Sequence, residues 1–166
     1  MPTEQRSVRY VIKPTPKTYT GYKNILLLKL EAILGQDSNP LFSEVYGVEE
    51  TELSGYPCAF VVEKTGGGQI IDTHRNEREW QFSITIHQAI GRKTPEQAYA
   101  VLLDAVDRVI TVLDQDPMLF DENNQAQCKW TKVVPVGFEF GNQESPVHRA
   151  TLDIAIVDMV NRYAVA

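Results

Sequence analysis

Residues 79–90 alternate: Trp80, Phe82, Ile84 and Ile86 fall on one parity, and Gln81, Ser83, Thr85 and His87 on the other. Successive side chains of a strand point to opposite faces, so this pattern predicts a strand with one buried face. The run YPCAFVVEK at residues 56–64 is rich in β-branched and aromatic types and predicts a second strand that begins just after Pro57. Residues 128–140 and 147–160 predict two more, split by a turn at 141–146, and the last alternates at Leu152, Ile154 and Ile156. Residues 41–46 read as a short strand or as further loop, and residues 69–72 as strand.

Helical spacing appears twice. Over residues 22–34, Ile25, Leu28, Leu30, Ile33 and Leu34, helped by Leu26 and Leu27, make a broad apolar face, with Gly35 as the stop. The second helix has the sharper signature. Thr94 stands at the N-cap, Pro95 at the first helical position, Glu96 against the dipole and Gln97 where a capping box needs it. It should run to about residue 113, with Val101, Leu102, Ala105, Val109, Val112 and Leu113 inward and Asp104, Asp107 and Arg108 outward.

Strands joined by short turns pair antiparallel, and two helices of this length cover one face of a small sheet. The expected class is α+β: a mainly antiparallel or mixed sheet of four to five strands with two helices packed on one face. One domain is expected over residues 21–166. Residues 1–20 contain Pro2, Pro14, Pro16 and a short apolar patch at Val8, Tyr10, Val11 and Ile12. They read as an N-terminal arm, either disordered or ordered against a neighbouring subunit.

Composition narrows the function. A net charge of −6 argues against a broad phosphate-binding face. No stretch approaches the roughly 20 apolar residues of a membrane-spanning helix, and residues 1–6, MPTEQR, do not resemble a secretory leader, so synthesis in the cytosol is expected. Cys58 and Cys128 lack metal or redox spacing, and Cys58 reads as a buried small hydrophobe. His74, His87 and His148 fall in three different elements, without ligand spacing. There is no GxSxG elbow, and Gly66, Gly67 and Gly68 read as a mobile turn because no GK[ST] follows them. The acidic pairs Glu49 with Glu50 and Asp114 with Asp116 lie in expected loops and read as solvated charge. No enzyme activity, metal or cofactor is expected.

Candidate working parts are therefore contacts. The segment DTHRNEREW at residues 72–80 carries dense mixed charge into the strongest strand, and reads as a solvated hairpin arm or as an intersubunit rim. Arg75, Glu77, Arg78 and Glu79 are the candidate contacts there. Leu119 and Phe120 are the apolar anchor expected to root a docking loop within the polar excursion of residues 114–127.

The helix before Gly35, the YPCAFVVEK strand, the charged arm entering REWQFSITIHQ, and the helix TPEQAYAVLLDAVDRVITVL together resemble tail terminator (tail-completion) proteins of long-tailed bacteriophages, of the minor tail protein U type. The resemblance covers residues 22–110, and the closing strands more loosely; it rests on order and spacing. It implies a structural virion protein at the head-proximal end of the tail, assembled in the host cytoplasm as a homo-oligomeric, hexameric ring. That ring would bind the last tail-tube subunits, end tube polymerisation and offer a head-tail joining surface to the head-completion or neck protein. DNA would pass through without specific binding, and an acidic lining would let it slide. No membrane is involved. Two alternatives stand beside this: a head-completion or neck connector, and a small bacterial ligand-binding or enzymatic domain with a pocket between the second helix and the sheet.

Overall fold

The computed structural model describes residues 17–48, 53–70 and 75–161, and the expectations for residues 1–16, Glu49, Glu50, residues 71–72 and His74 lie outside them. In chain order the elements are α1 (Tyr19–Glu31), β1 (Glu44–Tyr46), β2 (Cys58–Lys64), β3 (Gly68–Ile70), β4 (Arg75–Ala89), α2 (Pro95–Asp114), β5 (Trp130–Glu139) and β6 (Val147–Asn161). The sheet runs in the order β1-β2-β4-β6-β5, with β3 joining β4 as well. Among the described strands only β1 with β2 is parallel, so the sheet is mixed and mainly antiparallel, and the α+β expectation holds.

The centre is the pair β4 and β6, matched residue for residue from Arg75 opposite Asn161 to Ala89 opposite Val147. Trp80, Phe82, Ile84 and Ile86 of β4 are buried with Leu152, Ile154 and Ile156 of β6, the expected parity in both strands. Both helices lie on that face. Tyr22 of α1 meets Trp80 at 4.9 Å between ring centroids, and Tyr19 meets Phe82 edge-on at 5.6 Å. From α2, Ala98, Leu102, Ala105, Val106, Val109 and Leu113 are buried. Among the described residues no helix lies on the other sheet face, where Gln81, Ser83, Thr85 and His87 are half-buried.

α1 differs from expectation at both ends. It starts at Tyr19 because Thr18 caps it, its hydroxyl accepting from Gly21 N–H at 3.0 Å, so the end of the expected arm belongs to the domain. Its apolar face at this end is made of tyrosines, which an aliphatic pattern overlooks. It stops at Glu31, and the stop is not Gly35: Leu34 forms a bridge with Pro40, and Gly35 N–H donates to Asn39 O within the turn. α2 carries the expected capping box, with Thr94 Oγ1 accepting from Gln97 N–H and Gln97 Oε1 from Thr94 N–H.

The glycine triplet also plays a different part. β2 and β3 both pair antiparallel to β4, along one edge, with Lys64 opposite Gln81 and Gly68 opposite Arg78. Four steps on one strand thus face three on the other, which makes a one-residue bulge rather than a reversal. A Cβ at Gly66 would sit 2.0 Å from Glu79 O, so the two backbones can approach only with glycine there.

Candidate assembly surface

Among the described residues β5 is the last strand of the sheet, and no described strand pairs with its outer edge. Its sequence WTKVVPVGFE is apolar on both parities, so some apolar side chains have no core to enter. Opposite the buried β6 positions stand Thr131, Val133, Pro135 and Phe138 on the helix side, while Trp130, Lys132 and Val134 project from the open face. The register shifts between Pro135 and Gly137, placing a bulge at Val136. A proline without N–H and a bulge are what edge strands carry to limit unwanted pairing. They divide this edge into a regular half, residues 130–134, and an irregular half, residues 136–140.

The irregular half forms an apolar knob. Val136 is 59% exposed, Phe138 40% and Phe140 67%. Phe140 packs at 4.9 Å and Phe138 at 6.4 Å from Tyr99 in the first turns of α2. His148 fixes the base of the knob. Its Nδ1 accepts from Gly141 N–H at 2.9 Å, so Nε2 carries the hydrogen and donates to Pro95 O at 3.0 Å. This buried histidine ties β6, the preceding turn and the start of α2 into one unit, and its ring meets both Tyr99 and Phe140 edge-on at 5.9 Å.

The predicted contact residues have mixed placements. Arg75 opposes Asn161 at the far end of the β4–β6 ladder. Arg78 is exposed. Glu77 forms an ion pair with Lys129 at 3.2 Å and so links β4 to the lead into β5, and Glu79 accepts from the Gln81 amide. Those two carboxylates already have partners within the chain. Leu119 is fully buried, in the left-handed region at φ 48°, and lies in the main core cluster. It roots its loop in its own domain and in this conformation cannot reach a partner. Phe120 is half-buried; its N–H donates to Asp116 Oδ1 at 2.9 Å and its carbonyl accepts from Lys29. The structure therefore does not bring the six residues together. The knob at 136–140 was read from sequence only as strand, though apolar residues on both parities beside a proline were a usable sign of an edge.

Two open hollows of about 480 and 530 Å³ flank the outer side of α2. In the first, Lys29 pairs with Asp116 and Arg108 Nε with Asp104, the latter at 2.9 Å, so both cations of the lining are already engaged. Among the described residues no group of three or more His, Cys, Asp or Glu side chains is placed to hold a metal. Burial pushes both cysteine thiols up to about 12, which keeps them protonated and unreactive near neutral pH. On the open face the His87 ring lies 4.7 Å from that of Phe60 and opposite Arg149; burial and then Arg149 push it down to about 4, against a smaller pull from Glu139. No described helix is long and apolar enough to cross a membrane.

No protein-family model matches the chain, and no curated protein matches it in sequence.

Proposed function

We propose that this chain is a ring-forming structural subunit that caps the tail tube of a long-tailed bacteriophage, ends its polymerisation and offers the head-tail joining surface. The observation that carries the reading is the apolar knob of Val136, Phe138 and Phe140 on the free edge of the sheet. Exposed aromatic clusters held on a rigid base are suited to bury against a second protein surface. A knob lying far from its receiving surface makes a heterologous contact, and heterologous contacts close into rings when the rotation allows. The sequence resemblance to tail terminators supports the same reading, as does the lack of any convergent polar pocket in the described core.

The test pairs the full chain with a Phe138→Ser/Phe140→Ser variant. Both side chains lie at the surface but pack on Tyr99, so the variant should keep its circular dichroism at some cost in stability. Wild type should form closed rings on tail-tube ends by negative-stain microscopy and halt tube growth, and the variant should do neither. A wild-type protein that stays monomeric even on tube ends would sink the proposal.

A further inference from the structure

His148 is buried, at 1% exposure, and its two hydrogen bonds admit one protonation state. Nδ1 can accept from the Gly141 N–H, at 2.9 Å, only while it carries no hydrogen, and Nε2 can donate to Pro95 O, at 3.0 Å, only while it carries one. The neutral ring meets both demands. A second proton would set an N–H on Nδ1 against the N–H of Gly141, two donors with no acceptor between them. Gly141 cannot turn its amide away on its own. A Cβ on it would lie 2.6 Å from Val147 N and 2.8 Å from Ser145 O, so the backbone is tightly folded there. Asn142 N–H donates to Ser145 O at 2.9 Å, and Asn142 Oδ1 accepts from the N–H groups of both Glu144 and Ser145. The turn is a braced unit, and the amide moves only if the turn does.

Among the described residues, those packed on the ring carry no negative charge to meet a cation. α2 presents Tyr99 and its own N-terminus, the positive end of the helix dipole. β5 presents Phe140, and β4 sets the uncharged Gln88 opposite in the ladder. Glu139 and Arg149 pair with one another at 3.7 Å, Arg149 standing opposite His87 on the open face, and Arg92, Lys93, Glu96 and Glu144 are exposed. Within the described chain the ring bonds to Gly141 and Pro95 and to no carboxylate.

We infer that His148 is a proton-released latch: neutral, it seats the Phe138 to Phe140 strand end on Tyr99, and uptake of a proton frees the turn of residues 141–146 and unseats the knob. The sign follows from the two states. With the turn open the ring reaches water, where an imidazole takes up a proton below about pH 6.5; with the turn closed the second proton has no place. Acid therefore shifts the equilibrium towards the open form. Phe140 precedes Gly141 directly and lies 4.9 Å from Tyr99 between ring centroids, so it leaves Tyr99 with the turn. The latch stands whether the knob meets a tail tube or another protein.

NMR on the full chain between pH 7.0 and 5.0, above the range in which His87 charges, tests it. At pH 7.0 the His148 ring should carry its hydrogen on Nε2 alone, with a protected Gly141 amide and nuclear Overhauser contacts between the Tyr99 and Phe140 rings. By pH 5.0 the Gly141 protection factor should fall ~10-fold or more, one coupled proton allowing up to ~10-fold per pH unit. The ring contacts should fade with it, while the amides of residues 82–86 stay protected. His148→Gln should hold its Gly141 protection constant over the same range, because a carboxamide can accept from Gly141 and donate to Pro95 without titrating. An unchanged protection factor in wild type overturns the proposal, and so does a wild-type ring that becomes cationic while the Gly141 amide stays protected. An equal fall in His148→Gln overturns it too, since the acid would then act through another group. The wild-type ring signal decides the case even if glutamine does not reach both partners.

Discussion

His87 should make the fold sensitive to mild acid. Its ring is pressed against Phe60, stands opposite Cys58 on one side and Arg149 on the other, and faces Glu139 across β6. Burial and the Arg149 guanidinium hold it down to about 4, from 6.5. Below pH 6.5 the unfolded chain takes up a proton that the folded ring refuses until about pH 4. The unfolded state therefore binds more protons in that window, and stability present above pH 6.5 is lost as pH falls through it. At ~1.4 kcal/mol per pH unit, the ceiling is ~3.4 kcal/mol. Because the ring keeps part of its surface in water, screening reduces this to ~1 kcal/mol. Urea unfolding of wild type and His87→Gln at pH 7.0 and 4.5 isolates the effect, since the carboxylates common to both proteins cancel in the difference. Any advantage of wild type at pH 7.0 should shrink, or reverse, by ~1 kcal/mol at pH 4.5. A gap that stays constant within error between the two pH values refutes the reasoning.

Two further outcomes test the packing. Leu119→Ala should lower stability by ~2–4 kcal/mol through the cavity it leaves, measured by urea unfolding; a loss under ~1 kcal/mol would mean the loop collapses to fill the space. Gly66→Ala sets a methyl 2.0 Å from Glu79 O, and should speed amide exchange in β3 and the adjoining end of β4 while leaving α2 protected; unchanged exchange there would show that the bulge has room to shift.

Much of the architecture was legible because it follows from local rules. The parity of Trp80 through Ile86, the strand start after Pro57 and the capping box at Thr94 each depend on neighbours in sequence, and each is found in place. What was misread depends on distant partners. Ile33 is buried as the α1 pattern implied, but from beyond the helix end, where its N–H donates to Leu30 O and Leu34 forms a bridge with Pro40. Gly66 to Gly68 look like a turn until β4 is known to run alongside both flanking strands. Leu119 roots its loop as an apolar anchor, but it does so from a left-handed backbone with its side chain fully inside the core of its own domain, which its polar neighbours in sequence do not announce.

The candidate surface was harder to see for a related reason. Alternation marks which side of a strand is buried, but strand order decides which backbone edge is left over, and order is a property of the whole sheet. β6 and β5 are neighbours in sequence and in space, yet β6 is enclosed between β4 and β5 while β5 stands at the border. Both strands are apolar. In β6, Leu152, Ile154 and Ile156 reach the core on one parity and the other parity stays largely polar or small. In β5, valines and phenylalanines occupy both parities, and past Pro135 the bulge aims Phe138 and Phe140 at Tyr99 rather than into the central core. A border strand that needed only to close a core would gain nothing from Phe140 at 67% exposure. The excess apolar surface is accounted for if this border is where the chain meets another protein.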